Sequence, residues 1–249
     1  GAISPLPLAA PGADSGAMTQ TDITLIGAPL DCGKRSRGCL MGPDAYRTAG
    51  LAEALAELGH RVTDAGNLAI GPVDPIGHAN PLVHSLAETA EWTRVLSAAA
   101  REAAKAGMPI FMGGDHALAA GTLSGMAAHA ADIDRPLFVL WLDAHSDYHT
   151  PGSTTSGNLH GTPMGYACGR PGFEDFPPLE VPLDPANVCM IGLRSVDAAE
   201  REALDDTDMT LLDMRRIDED GIRAPLAAFL ARVEDENGIL HVSLDVDFL

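Results

Sequence analysis

The sequence predicts an α/β protein, a three-layer α/β/α sandwich built on a mainly parallel sheet. Three observations carry that prediction. From Met18 onward, short apolar runs alternate with longer segments of helical period. The strongest run, Leu137-Phe138-Val139-Leu140-Trp141-Leu142, is apolar throughout rather than alternating, which suits a strand covered on both faces. Several runs end directly in Asp, His and Gly, and in such sheets ligands bind at the carboxyl ends of strands.

Taken in order, Asp22 to Gly27 reads as the first strand, since Ile23, Leu25 and Ile26 run into Gly27-Ala28-Pro29. Asp44 to Leu58, rich in Ala and Leu, reads as a helix, and Arg61 to Asp64 as a short strand. Pro81 to Ala106 reads as a long helix stopped at Gly107, followed by a strand from Pro109 to Gly113. Ala117 to Ala130 is the next helical segment, with Gly125 taken as a stop or turn, and Leu137 to Leu142 the next strand. Val188 to Gly192, Met209 to Leu212 and Ile239 to Leu244 read as strands, interleaved with helices at Ala198 to Asp205 and Ile222 to Glu234. Residues Gly1 to Ala17, with three prolines and neither a basic start nor a continuous apolar centre, form no signal peptide. They are expected to be a disordered extension ahead of the domain.

Composition bounds the function classes. Aromatic residues make up only 4%, so the core is aliphatic and Ala-rich. Lys plus Arg 16 against Asp plus Glu 35 gives a formal charge of -19, which argues against binding a phosphate backbone and hence against a nucleic-acid partner. The apolar runs are far shorter than the roughly 20 residues needed to cross a bilayer, so no membrane partner is expected. Cys32, Cys39, Cys168 and Cys189 contain no CxxC pair, a disulfide scaffold is not expected, and the cytoplasm is the simpler compartment.

Three strand ends carry chemistry: Gly113-Gly114-Asp115-His116, Asp143-Ala144-His145-Ser146-Asp147 and Asp245-Val246-Asp247. In extended chain, residues two apart leave the same side, so Asp143, His145 and Asp147 converge if strand geometry persists, as do Asp245 and Asp247. Asp115-His116 alone reads as an ordinary turn, and Asp245 with Asp247 alone says little more. Three ionisable groups at the end of a buried strand, however, are costly without partners. Together the motifs predict a binuclear metal site with His116, Asp143, His145, Asp147, Asp245 and Asp247 as ligands. This oxygen-rich set favours Mn over Zn, with Fe, Co or Ni open on ligand type, and water between two such ions becomes a strong nucleophile.

These motifs, with Gly27-Ala28-Pro29-Leu30-Asp31, Arg37-Gly38 and Met41-Gly42-Pro43, resemble the arginase/agmatinase ureohydrolase family from Thr21 to Leu249. The resemblance implies two Mn2+ ions and hydrolysis of a guanidinium carbon with release of urea. It would place one ion on His116, Asp143, Asp147 and Asp245, and the other on His145, Asp143, Asp245 and Asp247, with Asp143 and Asp245 shared. It also implies that Asp147 handles the proton of the attacking, metal-bridging hydroxide and that His160 shuttles a proton to solvent. Ser156 and Asn158, in Ser156-Gly157-Asn158-Leu159-His160-Gly161, would contact a substrate α-carboxylate, and Asp197 and Glu200 an α-amino group. The loop wording is closest to arginases, which implies L-arginine as substrate and L-ornithine and urea as products. A homo-trimer or homo-hexamer is implied by resemblance only.

Two departures stand out. His149 occupies a place where many arginases carry Asn as a carboxylate contact, which opens longer or shorter ω-guanidino acids. The chain also stops at Leu249, just after the last metal motif, so residues 18–249 are expected to be a single domain truncated at its C-terminus. In the topology the resemblance implies, the absent part would include a central strand between those ending at His116 and Asp245, leaving two exposed edges and a polypeptide expected to fold poorly or to be inactive. Agmatinase, guanidinobutyrase or formimidoylglutamase chemistry, or a noncatalytic metal-binding subunit, are the alternatives. His60, His78, His84 and His129 are expected to be surface or capping groups.

Overall fold

The computed structural model describes residues 20–249, and the segment Gly1 to Ala17 lies outside the described residues. Strand β1 (Asp22–Ala28) is followed by helices α1 (Gly42–Thr48) and α2 (Leu51–Glu57), then strand β2 (Arg61–Asn67). Helix α3 (Leu86–Ala106), strand β3 (Met108–Gly113) and helix α4 (Leu118–Asp132) come next. Strand β4 (Leu137–Leu142), helix α5 (Pro163–Ala167) and strand β5 (Val188–Leu193) lead to helix α6 (Ala198–Asp205). Strand β6 (Thr210–Asp213), helices α7 (Met214–Asp220) and α8 (Arg223–Asp235), and strand β7 (Ile239–Leu244) complete the described chain.

Every strand pairing is parallel, as the apolar runs require, but the strands form two sheets. Their orders are β2-β1-β3 and β6-β5-β4-β7. The single sheet expected from the strand pattern is thus divided, because among the described residues no strand pairs with the outer edge of β3 or of β7. These are the two open edges the sequence led us to expect, and β7 is far less buried than β4 or β5.

The core shows why Leu137 to Leu142 is apolar at every position. Val139 and Trp141 pack with Leu123, Met126 and Ala127 of α4, while Phe138 and Leu140 pack with Phe229 of α8 on the opposite face. Alternate side chains therefore enter different layers, each buried aliphatic or aromatic group contributing about 1.5–3 kcal/mol. The first sheet is covered likewise, Ile23 and Leu25 against Leu51 and Leu55 of α2, and Ala28 against Trp92 and Leu96 of α3.

The single helix expected over Asp44 to Leu58 is broken in two at Gly50, whose φ of 82° is left-handed. Helix α3 starts at Leu86 rather than Pro81, after Ser85 takes a φ of 50° and Asn80 Oδ1 accepts a hydrogen bond from Leu82 N. Gly125 is no stop: it lies inside α4, where a Cβ would sit 2.7 Å from Ala100 Cβ, so it lets α3 and α4 approach closely. Helices α5 and α7 had no sequence signal, the first being too short for periodicity and wholly buried.

Candidate metal centre and its rim

Strand β4 ends at Leu142, so Asp143, His145 and Asp147 do not converge through strand alternation. A turn brings them together instead. Asp143 Oδ1 accepts a 2.8 Å hydrogen bond from His145 N, and Asp147 takes a φ of 48°. A short polar side chain that bonds the backbone two residues on diverts the chain from the sheet. The same happens after β7, where Asp245 caps a single 3-10 turn, Val246–Phe248, and its Oδ1 accepts from Asp247 N at 3.1 Å.

The result is two neighbouring groups of ligand atoms. In the first, His116 Nδ1 lies 2.9 Å from Asp143 Oδ2, 3.0 Å from Asp147 Oδ2 and 3.3 Å from Asp245 Oδ2. In the second, His145 Nδ1 lies 3.4 Å from Asp143 Oδ1 and 3.2 Å from Asp247 Oδ2. Asp143 thus gives one oxygen to each group, as a bridging carboxylate does. All six residues singled out from the sequence meet here, Asp245 approaching the first group through Oδ2 while its Oδ1 accepts from Asp247 N.

His116 Nδ1, Asp143 Oδ2 and Asp147 Oδ2 are buried and make no hydrogen bond, despite their short separations. Buried polar atoms without partners are rare, and two carboxylates turned on one ring nitrogen call for a positive charge between them. The site fits a divalent cation. The crowding of carboxylates on two imidazoles also sets the electrostatics of the cluster. Burial works against a charge on His116, but Asp143 and Asp147 push its pKa up to about 10. The hydrogen bond with Asp143 likewise raises His145 to about 9. Burial raises Asp147 to about 6, whereas the two imidazoles hold Asp143 well below the usual carboxylate range in spite of its burial.

Several supporting contacts gave no sequence signal. Trp141 stacks on the His116 ring, centroids 4.3 Å apart and planes 13° from parallel, and donates from Nε1 to His145 O at 3.2 Å. Ser243 Oγ on β7 lies 2.9 Å from His116 Nε2, fixing the far side of that ring.

Beside the metal group lies a polar rim. His149 Nε2 is 2.8 Å from Asp197 Oδ2, and His149 Nδ1 is 2.9 Å from Ser153 Oγ. Glu200 is buried, its Oε1 accepting from Ser146 Oγ at 2.7 Å and Tyr148 N at 3.0 Å. Asp197 is the N-cap of α6 in a capping box with Glu200, so the ordinary helix-start role is present. The same two side chains also meet His149, a role helix capping does not require.

The loop of Ser156, Asn158 and His160 is held from outside. Ser156 Oγ accepts from Asn158 N at 3.2 Å, and Gly157, with a φ of 74°, packs against Leu82. Asn158 Oδ1 accepts from Arg35 N at 3.2 Å and pairs with His84 Nε2 at 2.9 Å, which leaves the Asn158 amide NH2 as a donor. His84 was expected to be a surface or capping group, and its pairing with Asn158 corrects that. His129 is also buried rather than on the surface. Burial pushes the His160 ring down to about 4, aided by the fields of His116 and Lys34, so it is neutral near pH 7. The loop closes on the metal group, since a Cβ on Gly161 would lie 3.9 Å from Asp147 Oδ1.

Residues 21–249 match a family model described as the arginase family. The chain is similar to an arginase of Brucella melitensis, 54% identical over 226 residues covering 90% of this chain and 74% of the relative. An arginase of Agrobacterium fabrum is 52% identical, covering 90% of this chain and 70% of its own. Among solved structures, the Bacillus caldovelox arginase superposes with a TM-score of 0.79 at 32% identity, over 91% of this chain and 76% of that one.

Proposed function

The chain belongs to the arginase family, ureohydrolases acting on guanidino C–N bonds, and from that premise we propose that it hydrolyses L-arginine to L-ornithine and urea with two Mn2+ ions. The observation that carries this reading is Asp143, one oxygen in each of two ligand groups, with three buried ligand atoms left without hydrogen bonds. His116, Asp143, Asp147 and Asp245 would hold one ion, and His145, Asp143, Asp245 and Asp247 the other. Two such ions would lower the pKa of a bound water and stabilise the negative charge on its oxygen as the guanidinium carbon becomes tetrahedral.

The chain's own residues do the rest. Asp147 accepts the proton of the attacking water and delivers it to the departing amine nitrogen, so that the C–N bond breaks as urea forms. His160, held neutral by burial, takes up a proton and exchanges it with solvent. The free NH2 of Asn158 and the hydroxyl of Ser156 bind the α-carboxylate, with His149 beside them, while Asp197 and Glu200 receive the α-ammonium.

One contact favours a second substrate. Because His149 already engages Asp197, a guanidino acid without an α-amino group, such as 4-guanidinobutyrate, would leave that pair intact. The reading also includes a homo-oligomer, trimer or hexamer, in the cytoplasm; no described helix is long and apolar enough to cross a membrane. The deciding experiment is product release by Mn2+-loaded protein from L-arginine, agmatine, 4-guanidinobutyrate and formimidoylglutamate in parallel. Preference for L-arginine supports the assigned rim. Preference for 4-guanidinobutyrate transfers the rim to the second reading, and no turnover of any substrate by protein that is folded and binds Mn2+ supports a noncatalytic metal-binding subunit.

A further inference from the structure

Asp115 precedes the ligand His116, yet its carboxylate joins neither ligand group. It is 4% exposed, and both oxygens are spent on backbone: Oδ2 accepts from Gly33 N at 2.8 Å and Oδ1 from Ala117 N at 3.0 Å. Gly33 in turn accepts, through its carbonyl, a 3.0 Å hydrogen bond from His160 N. The loop after β1 is tied to Asp115 a second time, because Asp115 N donates to Leu30 O at 2.9 Å.

The packing around Gly33 leaves no slack. A Cβ there would lie 2.6 Å from Asp115 Oδ1, 2.8 Å from Ala117 Cβ and 3.0 Å from His160 N, so no larger residue fits between the carboxylate and the His160 backbone. Two residues on, Arg35 N holds Asn158 Oδ1, so the same loop sets both ends of the Asn158 to His160 turn.

We propose that Asp115 is a positioning residue for His160, acting through Gly33 to fix the imidazole beside the metal group. The proposal rests on the proton-shuttle role given to His160 above. A carboxylate with two backbone donors makes a rigid anchor, and small misplacement of a proton-transfer group lowers turnover steeply. Asp115 belongs to neither candidate ligand group, and its carboxylate reaches the His160 backbone through Gly33.

The test is a double-mutant cycle on the full chain at saturating Mn2+ with the substrate it prefers. Asp115→Ala and, as an independent wedge into the same contact, Gly33→Ala are each combined with His160→Ala, and kcat, KM and amide exchange of residues 156–161 are measured. Each single change is expected to lower kcat by about tenfold or more with His160 present, and by less than about twofold with it absent. Asp115→Asn, which keeps one acceptor oxygen, should recover part of the loss, and exchange at 156–161 should quicken in both single variants. Equal losses in both backgrounds, or unaltered exchange at 156–161, overturns the proposal. If His160→Ala alone keeps the parent kcat, the shuttle reading fails and the catalytic consequence drawn for Asp115 falls with it.

Discussion

Replacing Trp141 with Phe removes one hydrogen bond and part of one stacked face, both directed at the metal group. The indole N–H to His145 O is lost, and a carbonyl deprived of its partner in a partly buried setting costs about 1–2 kcal/mol. The smaller ring keeps some of the stack on His116 but leaves a void of roughly methyl size or more, at about 1 kcal/mol. Together these predict a loss of about 2–3 kcal/mol, which for a chain of this size lowers Tm by about 4–12 °C. Because Trp141 orients ligands from two strand ends, Mn2+ affinity should also fall, by about 10- to 100-fold. Thermal unfolding with and without Mn2+, and calorimetric titration of the ion, measure both. A Tm within about 2 °C of the parent together with unchanged Mn2+ affinity would refute the reasoning.

Asp143→Asn disturbs both ligand groups at once, so bound Mn2+ by elemental analysis should drop for both ions, with affinity more than about a hundredfold weaker. Without metal, His116 and His145 hold protons up to about pH 10 and 9, so their contribution to stability is complete below about pH 6.5 and fades as pH rises through those values. Metal binding requires the same rings unprotonated, so the rise in Tm on adding Mn2+ should be larger at pH 9 than at pH 6.5; a pH-independent increment would sink this assignment. Gly157→Ala must place a side chain at a φ of 74° and overlap Leu82 O, costing at least about 1–2 kcal/mol and displacing Asn158, seen as a lower Tm and a raised KM.

The layers were legible because burial on both faces leaves a trace: Leu137 to Leu142 has no polar position, and the strand is covered by α4 on one side and α8 on the other. The candidate ligand residues stood out in the sequence because Asp and His at the ends of apolar runs violate the expectation for buried chain. How they converge was not legible. Asp143 and Asp245 bend the backbone through their own side chains, and a rule of alternation cannot describe a turn. Trp141, Ser243, His84 and Asp115 were missed as site residues because each looks ordinary in its own segment. Trp141 is an apolar residue in an apolar strand, and Ser243 meets His116 across 127 positions of sequence. Periodicity also could not distinguish Gly50, which breaks a helix, from Gly125, which lets two helices touch.

The candidate ligands come from both sheets: His116 follows β3 of one, while Asp143, Asp147 and Asp245 follow β4 and β7 of the other. A cation held among them would therefore tie together two sheets between which, among the described residues, no strand pairing runs. Its binding free energy would add to that of the core shared by Ala100, Leu123, Val139 and Trp141 in holding the two sheets together. Amide protection in β3 and β7, the strands that flank the seam, should rise on loading with a divalent cation.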